Sequence, residues 1–111
     1  MTTRLKKEPA PARERRALKA TEVVTRLAQL EGWTLTGDGA EVAIEKSWAF
    51  ANYFETMAFV NAVAFLAHRQ DHHPELLVQY SRCVVRLRTH DVGGLSMADF
   101  ESAALVDALL A

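Results

Sequence analysis

Apolar positions recur along this chain with two different periods, and the switches between them outline a fold. From about Arg13 to Leu30 the spacing is helical: Leu18, Val23, Val24, Leu27 and Leu30 gather on one face, and Gly32 follows as a stop. Trp33-Thr-Leu-Thr36 alternates apolar with polar, Gly37-Asp-Gly39 marks a turn, and Val42, Ile44 and Trp48 resume the alternation. Residues 33–48 are therefore predicted to form a hairpin. Phe50 to about Arg69 is the next helix, with Phe50, Phe54, Met57, Ala58, Phe65 and Leu66 at three- and four-residue spacings. Pro74 forces the residue before it toward extended geometry and so ends the helix. Leu76 to Tyr80 reads as a short strand. Arg82 to Thr89 reads as a longer one, with Cys83, Val85 and Leu87 on one side and Arg82, Arg86 and Arg88 on the other. Gly93-Gly94 breaks the chain. Ser96 then opens a last helix, with Asp99 in the third position of a capping box and Phe100, Ala103, Ala104, Val106, Leu109 and Leu110 as its apolar set.

Helix, hairpin, helix, two strands, helix is the order of an α+β domain: a four-stranded antiparallel sheet with three helices packed on one face. Residues 1–12, with Pro9 and Pro11, are expected to form a flexible basic tail before a single domain at 13–111. The second helix is apolar beyond one face, because Phe59, Val60, Ala62, Val63 and Ala64 leave few polar positions. A sheet covers only one side of a helix, so the surplus predicts a contact with a second copy, in a homo-dimer or homo-tetramer.

Charge adds little that is specific. Seven of the thirteen basic residues (Arg4, Lys6, Lys7, Arg13, Arg15, Arg16, Lys19) lie in the first nineteen positions, leaving six basic against twelve acidic residues in the rest. No aromatic residues interleave that basic arm and the body is acidic, so nucleic acid is not the expected partner. A lone cysteine, Cys83, allows no internal disulfide, and its place in an alternating strand reads as a buried thiol. No run reaches the roughly 18 apolar residues a membrane span needs, and no signal-type stretch opens the chain, so a cytoplasmic protein without a membrane partner is expected.

All four histidines, His68, His72, His73 and His90, lie between positions 68 and 90. Imidazole gives and takes protons near neutral pH, so the clustering points to acid/base chemistry or metal binding. A metal site would use His68 and His72, four residues apart, with His90. Yet the pair straddles the predicted helix end and no Glu follows His68. A nucleophilic role for Cys83 lacks an adjacent base. Acid/base work would place His72 and His73 on the turn before Pro74, with His90 closing the neighbouring strand and Asp71, Asp91 or Asp99 orienting the rings. Spacing alone also allows His72 and His73 to be plain turn residues and His90 a plain strand end.

The stretch His68-x3-His72-His73-Pro74, followed by Tyr80, His90 and Asp99, resembles the signature of the pterin-4a-carbinolamine dehydratases. Asp71-His-His-Pro-Glu75, Thr89-His90, Gly94-Leu-Ser96 and Gly32-Trp33 agree as well, so the likeness runs from about residue 15 to 110. Two positions depart from the pattern: Leu76, where tryptophan is frequent, and His68, where a carboxylate is frequent. The resemblance implies dehydration of 4a-hydroxytetrahydrobiopterin to quinonoid dihydropterin without metal or other cofactor. It implies His72, His73, His90 and Asp99 as the catalytic set. His72, His73, Pro74, Thr89, His90, Asp91 and Val92 would contact the pterin. Asp71 and His68 are further orienting candidates, and Trp33 a stacking candidate. An aromatic amino acid hydroxylase would be a partner of such an enzyme. Some relatives of this kind act instead as regulatory or assembly partners, and that alternative stands beside the enzyme reading.

Overall fold

A computed structural model describes residues 15–111. The expected tail, and residues 13 and 14 of the expected domain, lie outside the described residues. The chain runs α1 (Ala20–Leu27), β1 (Thr34–Thr36), β2 (Ala43–Ala49), α2 (Tyr53–Gln70), β3 (Glu75–Val78), β4 (Arg82–Leu87) and α3 (Met97–Ala108). The strands form one antiparallel sheet in the order β1-β2-β4-β3. This is the predicted α+β architecture, with the later strand pair inserted so that β4, not β3, lies beside the hairpin.

The register explains the core. Ile44 faces Leu87, Lys46 faces Val85 and Trp48 faces Cys83, while Leu76 and Val78 face Val85 and Cys83 from the other side. Side chains alternate across a strand, so Ile44, Cys83, Val85 and Leu87 all project toward the helices, where they pack with Val23, Phe59, Val63, Phe100, Ala103 and Val106. The opposite face is largely polar; Glu45 and Arg86 pair across it at 3.0 Å. Burial pushes the Cys83 thiol up from its ordinary value, which keeps it protonated and unreactive.

Three elements differ from the sequence expectation. Helix α1 begins only at Ala20: residues 15–19 are not helical, and the Leu18 N–H donates to the Leu95 carbonyl at 2.8 Å instead of to a helical partner. At its start Glu22 accepts from the Lys19 N–H and from Arg16, and these hydrogen bonds, Arg16 first, lower its carboxyl to about 2. Helix α2 begins at Tyr53 because Asn52 caps it, its side chain accepting from the Glu55 N–H at 2.9 Å. The face of α2 turned inward is Thr56, Phe59, Val63 and Ala67, so Phe54 and Phe65, at the spacings that suggested a core stripe, stand outside. Finally, β3 ends at Val78, leaving Tyr80 exposed on the turn to β4, stacked at 6.3 Å on Tyr53.

Gly32 and Gly37 carry the two turns that a side chain would spoil. Gly32 has φ 87° with the Lys46 chain 2.9 Å from where a Cβ would stand, and Gly37 has φ 72° with the Glu41 carbonyl oxygen filling the place of a Cβ.

Candidate active site

Three chain segments build the site, and backbone geometry sets each of them. The first follows α2. Asp71 takes the left-handed conformation, φ 50° and ψ 42°, which Asp tolerates better than most residues. The Asp71 N–H then returns to the His68 carbonyl at 3.3 Å and the His72 N–H to the Ala67 carbonyl at 3.1 Å, the paired closure of a Schellman motif. This reversal sends His72 inward, 6% exposed, and leaves its neighbour His73 exposed. Pro74 then starts the chain toward β3.

The second segment leaves β4. Thr89 is buried and joined to Gly94 by a bridge, its N–H donating to the Gly94 carbonyl at 2.9 Å. Between them His90–Val92 forms one 3-10 turn, closed by Gly93 at φ 66°. His90 and Asp91 are exposed and Val92 half-buried on that turn.

The third segment is the start of α3. Ser96 caps the helix and Asp99 completes the capping box, the Ser96 N–H donating to Asp99 Oδ2 at 2.9 Å. Asp99 is completely buried. Its Oδ2 also accepts from the Thr89 hydroxyl at 2.8 Å, and its Oδ1 lies 2.6 Å from His72 Nε2. The Thr89 and Ser96 hydroxyls lie 2.6 Å apart. A single carboxylate therefore joins the turn carrying His72 and His73 to the loop carrying His90. With Asp99 as a carboxylate, Nε2 of His72 donates, and Nδ1 is the ring nitrogen that this carboxylate does not hold. The inner side of His72 is closely packed; the hollow it shares with Pro74, Val63 and Val106 holds only about 10 Å³.

The other candidates take different places. His68 is half-buried on the last turn of α2, Asp71 is the left-handed residue of the turn, and both make interactions there. Trp33 is 4% exposed, its ring edge-on to Trp48 at 5.6 Å, and its Nε1–H donates to Asp107 at 3.0 Å. Its ring belongs to the core and is not presented for stacking on a ligand. The Thr89 side chain holds Asp99, which leaves only the backbone of this residue for the expected pterin contact. The roles of Ser96 and Thr89 as partners of one carboxylate went unread, although Ser96-x-x-Asp99 is visible as a capping box. Among the described residues, no three His, Cys, Asp or Glu side chains stand close enough together to hold a metal ion.

A small α+β domain with a buried histidine-carboxylate pair, and with an exposed histidine next in sequence to each of the buried residues His72 and Thr89, defines the class. The profile of the Pterin 4 alpha carbinolamine dehydratase family matches residues 16–109, and the chain belongs to that family. A protein of Paracidovorax citrulli, provisionally named a pterin-4-alpha-carbinolamine dehydratase, is 65% identical over 107 residues, 96% of this chain and 92% of its own length. One of the same provisional name from Bdellovibrio bacteriovorus is 47% identical, over 97% of this chain and 88% of its own. The crystal structure of a transcriptional coactivator/pterin dehydratase from Brucella melitensis superposes with a TM-score of 0.79 at 29% identity, covering 86% of this chain and 99% of that one. A pterin dehydratase-like protein described as a RuBisCO assembly factor in the alpha-carboxysome superposes with a TM-score of 0.60 at 29% identity, covering 71% and 89%.

Proposed function

We propose that this protein dehydrates 4a-hydroxytetrahydrobiopterin to quinonoid dihydropterin and water, in the cytoplasmic recycling of tetrahydrobiopterin after an aromatic amino acid hydroxylase has acted. The observation that carries the reading is the placement of Asp99, which ties His72 on one segment to the loop bearing His90 on another. Family membership supplies the substrate class.

The reaction breaks the C4a–O bond and forms the N5=C4a double bond. The N5 lone pair expels the hydroxyl, which leaves as water once an acid has protonated it; a base then takes the N5 proton. No electrons move, so the step asks only for an acid and a base. His72 and His90 serve as acids toward the two faces of C4a, and His73 holds the ring and accepts the proton. Pro74, Asp91 and Val92 line the ring. Asp99 directs His72, whose doubly protonated ring gives its Nδ1 proton to the leaving oxygen. Each positioned acid or base of this kind contributes roughly 10²- to 10⁴-fold in rate. The test is a stopped-flow dehydration assay on the purified chain with its His73→Ala and His90→Ala variants. Wild-type rates in both variants would sink the assignment.

A second reading, a regulatory or assembly partner that keeps the fold without turnover, draws on α2. Phe54 is 82% exposed and Phe65 41%, and with exposed Ala58 and Asn61 they make an outward stripe along the helix. A homo-dimer or homo-tetramer would bury that stripe; a partner protein would use the same surface. Native mass measurement separates the two, since a closed oligomer leaves no such face for a partner.

A further inference from the structure

The segment ahead of α1 touches both halves of the histidine-carboxylate site. Nη2 of Arg15 donates to the carbonyls of Gln70 at 3.2 Å and Asp71 at 3.0 Å, the last residue of α2 and the left-handed residue after it. Three residues on, the Leu18 N–H donates to the carbonyl of Leu95, which immediately precedes the cap of α3. The Schellman closure satisfies only the Ala67 and His68 carbonyls, so the final carbonyls of α2 need an outside donor. A guanidinium is suited to that place: it offers several fixed donors and its charge complements the negative end of the helix dipole. Arg15 is drawn in far enough that its Nε is buried with no partner among the described residues. The next residue along from the two carbonyls it holds is His72.

We infer that Arg15 is a positioning residue: with Leu18 it straps the end of α2 to the start of α3 and so holds His72 against Asp99. Its reach into catalysis rests on the proposed dehydration, but its effect on the pair does not. A strap across the two segments fixes a 2.6 Å contact between groups that share no secondary-structure element. Displacements of about 1 Å at such a contact are enough to cost large factors in rate.

The experiment follows the pair directly in the full chain. In ¹⁵N-histidine-labelled protein, the short His72–Asp99 hydrogen bond gives a low-field proton on Nε2. Arg15→Met is expected to weaken or broaden that signal and to lower kcat roughly tenfold with little change in KM. Arg15→Lys, which can reach one carbonyl, restores part of both, and millimolar guanidinium restores part of both in Arg15→Ala. A neighbouring control, Arg16→Met, at an exposed arginine that makes no bond to α2, leaves the signal in place. Should Arg15→Met fail to fold, the Arg15→Lys comparison and guanidinium rescue carry the same test. An unchanged low-field proton in Arg15→Met overturns the inference, whether or not kcat falls. A wild-type chain that shows the proton but no dehydration overturns the proposed function instead and leaves the strap standing.

Discussion

His72 and Asp99, twenty-seven positions apart, meet at 2.6 Å in a spot closed to water, with 6% and 0% of their side chains exposed. A short contact between an imidazole and a carboxylate in such surroundings is stronger than one in solvent, because little water competes for either group. The second carboxylate oxygen is equally committed, to Thr89 and to the Ser96 N–H. Both oxygens of Asp99 are thus engaged, and its replacement has a definite consequence.

In Asp99→Asn an amide nitrogen must occupy one of the two oxygen positions. Turned toward α3, it sets a donor against the Ser96 N–H; turned toward His72, it forces Nε2 to accept and moves the ring proton to Nδ1. The second arrangement keeps the helix cap and is the expected one. ¹⁵N spectra should show the reversed His72 tautomer in a folded protein, with kcat for dehydration lowered roughly 10²- to 10⁴-fold. A wild-type tautomer with wild-type kcat would refute this.

The histidines should separate by stability as well as by activity. His73 and His90 are exposed, so their alanine variants are expected to lose rate while unfolding in urea within about 0.5 kcal/mol of wild type. His72→Ala strips a buried carboxylate of one of its donors and should cost about 1–3 kcal/mol as well as rate. Equal stability in all three variants would contradict the burial argument.

About two turns beyond Asp99 on α3, Asp107 accepts from Trp33 Nε1 at 3.0 Å and pairs with Lys46 at 2.9 Å. Asp107→Ala leaves the indole N–H of a buried tryptophan without its acceptor. A loss of about 1–3 kcal/mol in urea unfolding is expected, with unchanged KM for pterin because Trp33 lies in the core. An altered KM would return Trp33 to the binding site.

Phe54 makes the clearest probe of self-association. Its side chain is 82% exposed in the single chain, so a charge there should barely affect folding of one copy. Phe54→Asp is expected to shift the native mass to a smaller species while dehydration persists. Unchanged mass would move the contact to another surface.

The sequence by itself determined the elements and the family. Helical and alternating periods placed all three helices and four strands, since the side-chain patterns that bury a helix and a strand differ. The spacing from His68 to Asp99 marked the family and named two residues, His72 and Asp99, that the fold brings into contact. Periodicity could not choose the inner face of α2, because apolar residues line it nearly all round; only the sheet beneath selected Thr56, Phe59, Val63 and Ala67. Nor could it show that α1 starts late, since the hydrogen bonds of Arg15 and Leu18 reach residues 55 or more positions away. Tertiary structure alone decided that His72 turns inward while His73 stays outside, that Trp33 belongs to the core, and that Thr89 serves Asp99. Those outcomes depend on one left-handed residue and on which strands pair, and the pairing is a long-range choice that no local pattern encodes.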